Sequence, residues 1–187
     1  MRALFVTAAT ILLSAIVLAA DAQDGATLFR ESWRTVLDGS AGSRLAAYCG
    51  AAPRIASIDP ASLDEIDRTL APLLAEDLRR VHLERYDRAR AHANSPSDYY
   101  RQFAAATLGG RPVVVVNGFH RNYLDASPGV SSDPHPRWRT DPVIVLDGGD
   151  NYWCAYYSTD KKKFLPARPD SDARKSIRWT VSFNGEA

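Results

Sequence analysis

Residues 112–119 read Pro112-Val113-Val114-Val115-Val116-Asn117-Gly118-Phe119, and this stretch decides the fold class. Branching at Cβ restricts χ1 and suits a pleated surface, so four valines in succession favour extended backbone. The run has no polar alternation, which predicts a central strand covered on both faces. Gly109-Gly110, just before it, can supply either the positive φ of a tight hairpin or a helix end. Tyr99–Leu108 therefore reads in two ways: its alanines favour helix, and its flanking glycines suit a hairpin strand.

Downstream, Val143-Ile144-Val145 between Pro142 and Leu146 predicts a further strand. Asp147-Gly148-Gly149-Asp150 would be its turn and the aromatic-rich Asn151–Ser158 its hairpin partner. Ser158–Lys163 predicts another turn, with Phe164-Leu165 as a short edge. Ile177, Trp179, Val181 and Phe183 alternate with Arg178, Thr180 and Ser182, the period-two pattern of a strand with one buried face. Asn122–Arg139 carries Pro128, Gly129, Pro134 and Pro136 and predicts a long surface loop.

The N-terminal half is periodic in the helical sense. In Ala26–Leu37, residues Leu28, Phe29, Trp33, Val36 and Leu37 oppose Arg30, Glu31 and Arg34, predicting a first helix. Asp38–Gly42 breaks it, a short piece from Arg44 to Cys49 ends at Gly50, and Ala51–Pro60 is a linker. Ser62-Leu63-Asp64-Glu65 is a capping box. Leu63, Ile66, Leu70, Leu73, Leu74, Leu78 and Val81 then recur at three- and four-residue steps, predicting a helix toward Ala91 that Pro72 kinks or splits. Its end, Arg79–Arg90, alternates charges as a solvated face does. Helices first and consecutive strands after them predict an α+β fold, with N-terminal helices packed on one face of an antiparallel meander sheet of four to five strands.

Met1-Arg2 gives a positive start, Ala3–Ala19 is apolar, and Ala20-Asp21-Ala22 is a small-x-small cleavage pattern. Residues 1–22 thus read as a signal peptide and 23–187 as a single domain. A retained membrane anchor is the competing reading, weakened because the stretch is alanine-rich and barely long enough to span a bilayer. With no second long apolar run, no membrane span is expected after cleavage. Cys49 and Cys154 are the only cysteines; an oxidising compartment would let them pair, and two buried thiols are the alternative. The chain holds 23 basic and 22 acidic residues; loss of Arg2 and Asp21 on cleavage keeps the net charge at +1. That balance gives no reason to expect a nucleic-acid partner.

Chemistry-bearing residues are sparse. Of His82, His92, His120 and His135, only His120 falls at a strand end, where a carboxylate such as Asp147 and a serine would complete a small periplasmic hydrolase. No G-x-S-x-G elbow supports that reading. Asp147, Asp150 and Asn151 offer hard oxygens to a cation, but lack the further spaced carboxylates, and a glycine turn explains the same residues. Lys161-Lys162-Lys163 suits either an anionic surface or the protection of a sheet edge. Without metal-ligand spacing or a phosphate-cradling loop, no cofactor is expected. Trp138, Tyr152, Trp153, Tyr156, Tyr157 and Trp179 concentrate on the sheet region. Trp153 and Tyr157 share one strand face, and Tyr152, Cys154 and Tyr156 the other. Trp138, Trp153 and Tyr157 form the candidate binding surface for an envelope protein or glycan, with core packing as their competing use. The resulting expectation is a non-catalytic binding protein of inhibitor, immunity or envelope type, acting through its sheet face or the 122–139 loop; the alternative is the hydrolase built on His120.

Tyr99-Tyr100-Arg101-Gln102-Phe103, Val116-Asn117-Gly118-Phe119, Trp138, Asp147-Gly148-Gly149 and the end Phe183-Asn184-Gly185-Glu186-Ala187 together resemble a family of small exported proteobacterial proteins to which no activity is attached. The likeness covers roughly the C-terminal half. It implies a periplasmic location, and the β-branched richness of its members at 99–107 tips that segment toward strand. Some members carry cysteines near the positions of His120 or Leu146, which this chain lacks, so the Cys49–Cys154 pairing rests on this chain alone.

Overall fold

A computed structural model describes residues 29–85, 95–122, 137–145, 149–166 and 176–180. At its centre, β3 (Tyr99–Leu108) and β4 (Arg111–His120) form an antiparallel ladder from Tyr99↔His120 to Leu108↔Arg111. The turn between them is Gly109-Gly110, both with positive φ, 56° and 75°, which matches the right-handed twist of a two-residue hairpin. The alanine-rich 99–108 segment is therefore strand. β4 pairs in turn with β5 (Gly149–Ser158), from Val113↔Ser158 to Phe119↔Tyr152.

The flanks differ from the expected meander. The outer edge of β3 carries two short strands: β1 (Arg34–Val36) runs parallel to it, and β2 (Ala52–Pro53) antiparallel. The outer edge of β5 carries β6 (Lys163–Leu165) and β7 (Ile177–Thr180), both antiparallel. Among the described residues the sheet thus has seven strands, mixed but mostly antiparallel, instead of four to five in a meander. The expected helix over Ala26–Leu37 is replaced, among its described residues, by a 3₁₀ turn (Glu31–Trp33) and then β1. Main-chain partners along the edge of β3 outweigh local helical periodicity, which short segments express weakly in water.

Among the described residues two helices cover the sheet, one on each face, and this corrects the expectation that both lie on one. α1 (Gly39–Tyr48) packs Leu45, Ala46 and the following Cys49 against Ala104, Ala106, Val113, Val115 and Tyr156. α2 (Pro60–Arg85) packs Leu63, Ile66, Leu70, Leu74 and Leu78 against Phe103, Val114, Val116, Trp153 and Tyr157. Alternate residues of one strand thus meet opposite helices, which is why four successive valines are all buried. Gly118 belongs to the same fit: a Cβ there would lie 2.0 Å from the Trp153 ring.

α2 begins two residues before the expected capping box. Asp59 accepts the Ala61 N–H at 3.1 Å, and Pro60 takes the first helical position, where its missing N–H costs nothing. Pro72 lies within the helix on an exposed position and does not split it. Residues 86–94, part of the expected charged end, lie outside the described residues.

Residues 142–145 run without ladder pairing, so the expected hairpin between Pro142–Leu146 and Asn151–Ser158 is not formed; β5 pairs with β4 instead. Side chains satisfy this segment. The Gln102 amide donates to the carbonyls of Trp138 and Asp141 and accepts the Val143 N–H at 2.8 Å. Asn117 donates to the Val143 carbonyl at 2.9 Å, and the Tyr48 hydroxyl donates to the Val145 carbonyl. The segment closes the α1 face beyond the end of that helix. A disulfide joins Cys49 to Cys154 across the same face, tying the end of α1 to β5.

Candidate functional site

The register of the sheet assembles a ring stack at one end of the α1 face. Parallel pairing of Arg34 with Arg101 sets Trp33 beside Tyr100, and their rings stack at 4.2 Å with a 13° interplanar angle. Tyr100 faces Phe119 across the β3–β4 ladder, stacked at 5.5 Å and 10°. Trp138 meets both edge-on, at 5.0 and 6.0 Å, a favourable arrangement for ring quadrupoles. Two arginines border the stack: Arg30 lies 4.4 Å over the Trp33 ring, and Arg139 lies 4.4 Å over Trp138. Arg139 also donates to the Ser32 carbonyl at 2.8 Å. Phe119 and Trp138 are buried, Trp33 and Tyr100 half-buried, and both arginines exposed. The stack therefore runs from core to surface and ends in two cations.

On the α2 face, a groove of about 410 Å³ is lined by Phe29, Glu31, Arg34, Asp64, Asp67 and Arg68. Beneath it, Arg101 makes a bidentate pair with Asp67 at 2.9 and 3.1 Å and sits 4.1 Å over the Phe29 ring. Burial pushes the Asp67 carboxyl above its ordinary value and the Arg101 guanidinium below its own, since both charged forms lose water. Burial would lower Arg34 as well, but the hydrogen bonds it donates to Asp64 and Asp67, with the attraction of the same two carboxylates, outweigh it and the net shift is upward. Arg34 and the underlying Arg101 are both answered by carboxylates of α2, and these pairs dock the N-terminal segment on that helix.

The three aromatic residues expected as a binding surface are core. Trp153 is 0% exposed, Tyr157 2% and Trp138 8%, because both sheet faces are covered. Trp138 nonetheless contributes to the stack from beneath. His120 lies at the end of β4, 5% exposed, where its Nδ1 accepts the Asn122 N–H at 3.2 Å and its ring meets Tyr99 edge-on. The neutral ring then carries its proton on Nε2. Asp147 lies outside the described residues, as do His92, His135 and residues 123–136 of the expected loop. Lys161 and Lys162 are exposed in the turn before β6 and Lys163 is exposed at its first position, with Lys162 4.0 Å from Glu65. Among the described residues, no three metal-capable side chains come together, and no helix is long and apolar enough to cross a membrane.

Sequence reasoning missed Trp33 and Arg30, which it placed on a helix, and Tyr100, which it placed in the two-way Tyr99–Leu108 segment and gave no role. Their meeting depends on a parallel pairing between segments far apart in the chain. No family model, curated protein or solved structure matches the chain.

Proposed function

We propose that the chain is an exported periplasmic protein, delivered by cleavage of residues 1–22, that acts by binding an envelope protein or glycan without catalysis. The observation that carries this reading is the Trp33–Tyr100 stack, half-buried and bordered by the exposed Arg30 and Arg139. Flat aromatic rings held rigidly on a sheet offer large contact area at small entropic cost. The Cys49–Cys154 bond supports an oxidising location. The surface differs from the sheet face first expected, since both faces are covered, and lies beside the 122–139 segment through Trp138 and Arg139.

Co-sedimentation with purified cell-wall sacculi and pull-down of solubilised envelope proteins test this reading, comparing the native protein with Trp33→Ala. Retention that Trp33→Ala abolishes and His120→Ala leaves intact is the expected result. Equal retention of native protein and Trp33→Ala would remove the stack as the ligand surface. Turnover of an ester or glycosidic substrate lost in His120→Ala would replace binding by hydrolysis.

A further inference from the structure

We infer that the β5–β6–β7 side of the sheet is a membrane-docking surface, where Arg111, Lys161, Lys163 and Arg178 adsorb the chain to a bilayer bearing anionic phospholipid headgroups. This surface is separate from the ring stack and does not depend on it.

Charge is spread unevenly along the sequence. Residues 160–178 hold seven basic and three acidic side chains, whereas the other 168 residues hold 16 basic and 19 acidic. Pairing along β5 sets Lys163 opposite Ser158 and Arg178 opposite Cys154. Cys154 and Tyr156 face α1, so by alternation Ser158 and both of these cations take that side. On β4, Val113 stands opposite Ser158 and also faces α1, which puts Arg111, two residues away, on the same side. Lys161 occupies the turn between β5 and β6. All four are exposed, and none stands in an ion pair among the described residues. Arg178 donates only to the neutral Cys49 carbonyl. Lys162 is answered by Glu65, and Asp160 is the sole carboxylate among the described residues of the turn, β6 and β7.

Protection of a sheet edge does not account for this set. Lysines that block an edge stand on the edge strand. Lys163 and Arg178 do, but Lys161 precedes β6, and Arg111 opens β4, which has a strand on each side. Four residues of β5 separate the positions opposite Lys163 and Arg178, about 13 Å at a strand's rise. Cations spread in this way on exposed stems make a field for a plane of headgroups and not a cradle for one anion. The large exposed apolar side chains Ile55, Leu73 and Ile144 lie on other segments, so the contact is electrostatic and stays at headgroup level. Arg111, Lys161 and Lys163 lie at the Leu108–Arg111 end of the sheet, and the ring stack lies beside β1 at the Tyr99–His120 end. A bilayer held here leaves the stack open to its own ligand.

The test uses the oxidised protein recovered from an exporting host, sedimented with phosphatidylcholine vesicles or with vesicles of about one-third phosphatidylglycerol. At low salt the anionic vesicles should bind it at least about tenfold more tightly, and high salt should erase the difference. Each cation contributes about fivefold, so the charge reversal Lys161→Glu should weaken binding more than about tenfold without changing near-ultraviolet circular dichroism. Arg54→Glu makes the same change of net charge at the far edge of the sheet, beside β2, and should weaken binding less than about threefold. Equal weakening by both variants would overturn the surface, since net charge alone would then explain adsorption. Equal sedimentation with both vesicles, or with neither, would overturn the lipid assignment. In the latter case, retention of the native protein but not of Lys161→Glu on immobilised polyglutamate would make the partner an acidic protein.

Discussion

Beneath α2 the sheet is sealed by five aliphatic side chains at helical spacing, whereas beneath α1 it is sealed by a disulfide and by amide side chains gripping an unpaired segment. The α2 face relies on area, at about 1.5–3 kcal/mol for each fully buried aliphatic side chain. The α1 helix is short, 10 residues, and covers only part of its face. Residues 137–145 cover the remainder, and their main chain needs partners that no neighbouring strand supplies. Gln102 and Asn117, both buried on the sheet, provide them. A buried amide is costly alone and specific when satisfied, so this face gains register where the other gains bulk.

The comparison can be broken at its strongest point first. Replacing both cysteines by serine should lower stability by about 4–5 kcal/mol in the chain-entropy picture, since the bond closes a loop of about 100 residues; chemical denaturation of the oxidised native protein and the variant measures it. A loss under about 1 kcal/mol would mean that the α1 face holds by packing, like its opposite. Leu70→Ala, fully buried under α2, should cost about 3 kcal/mol by the same assay. A sharper contrast comes from adjacent residues that point to opposite faces. Asn117→Ala strands the Val143 carbonyl and should cost about 2 kcal/mol, with loss of the near-ultraviolet signal of Trp138. Val116→Ala should cost a similar amount and leave that signal in place; if both variants lose it, the two faces are not independent.

The smallest effect is a titration. Burial, and secondarily the Glu65 carboxylate, push the Tyr157 hydroxyl up to about 12. Its raised value means the folded protein keeps this proton where the unfolded chain releases it. The stabilising contribution is complete below pH 10 and is lost as pH rises from 10 to about 12. Tyr157→Phe should flatten the stability profile across that window, and spectrophotometric titration should show one fewer late-ionising tyrosine.

The parts of the fold that were legible are those that local pattern controls. The four valines announced a strand covered on both faces, Gly109-Gly110 allowed its hairpin, and the leucine spacing announced α2. Where long-range pairing decides, the pattern misled. Residues 29–37 have helical spacing yet bind the β3 edge, and Val143-Ile144-Val145 has strand composition yet bonds to side chains. The candidate surface failed for a related reason. Trp153 and Tyr157 seemed available only while one sheet face was taken as bare. Trp33 and Tyr100 became visible only when parallel register placed them together.

The Cys49–Cys154 bond has one more consequence, for integrity under attack. Residues 86–94 and 123–136, and the whole of α2, β3 and β4, lie between the two bonded positions in the chain. A single peptide-bond cut anywhere from residue 49 to residue 154 therefore opens a ring instead of dividing a chain. The nicked protein would keep its full mass under non-reducing conditions and separate into two pieces only when the thiols are restored.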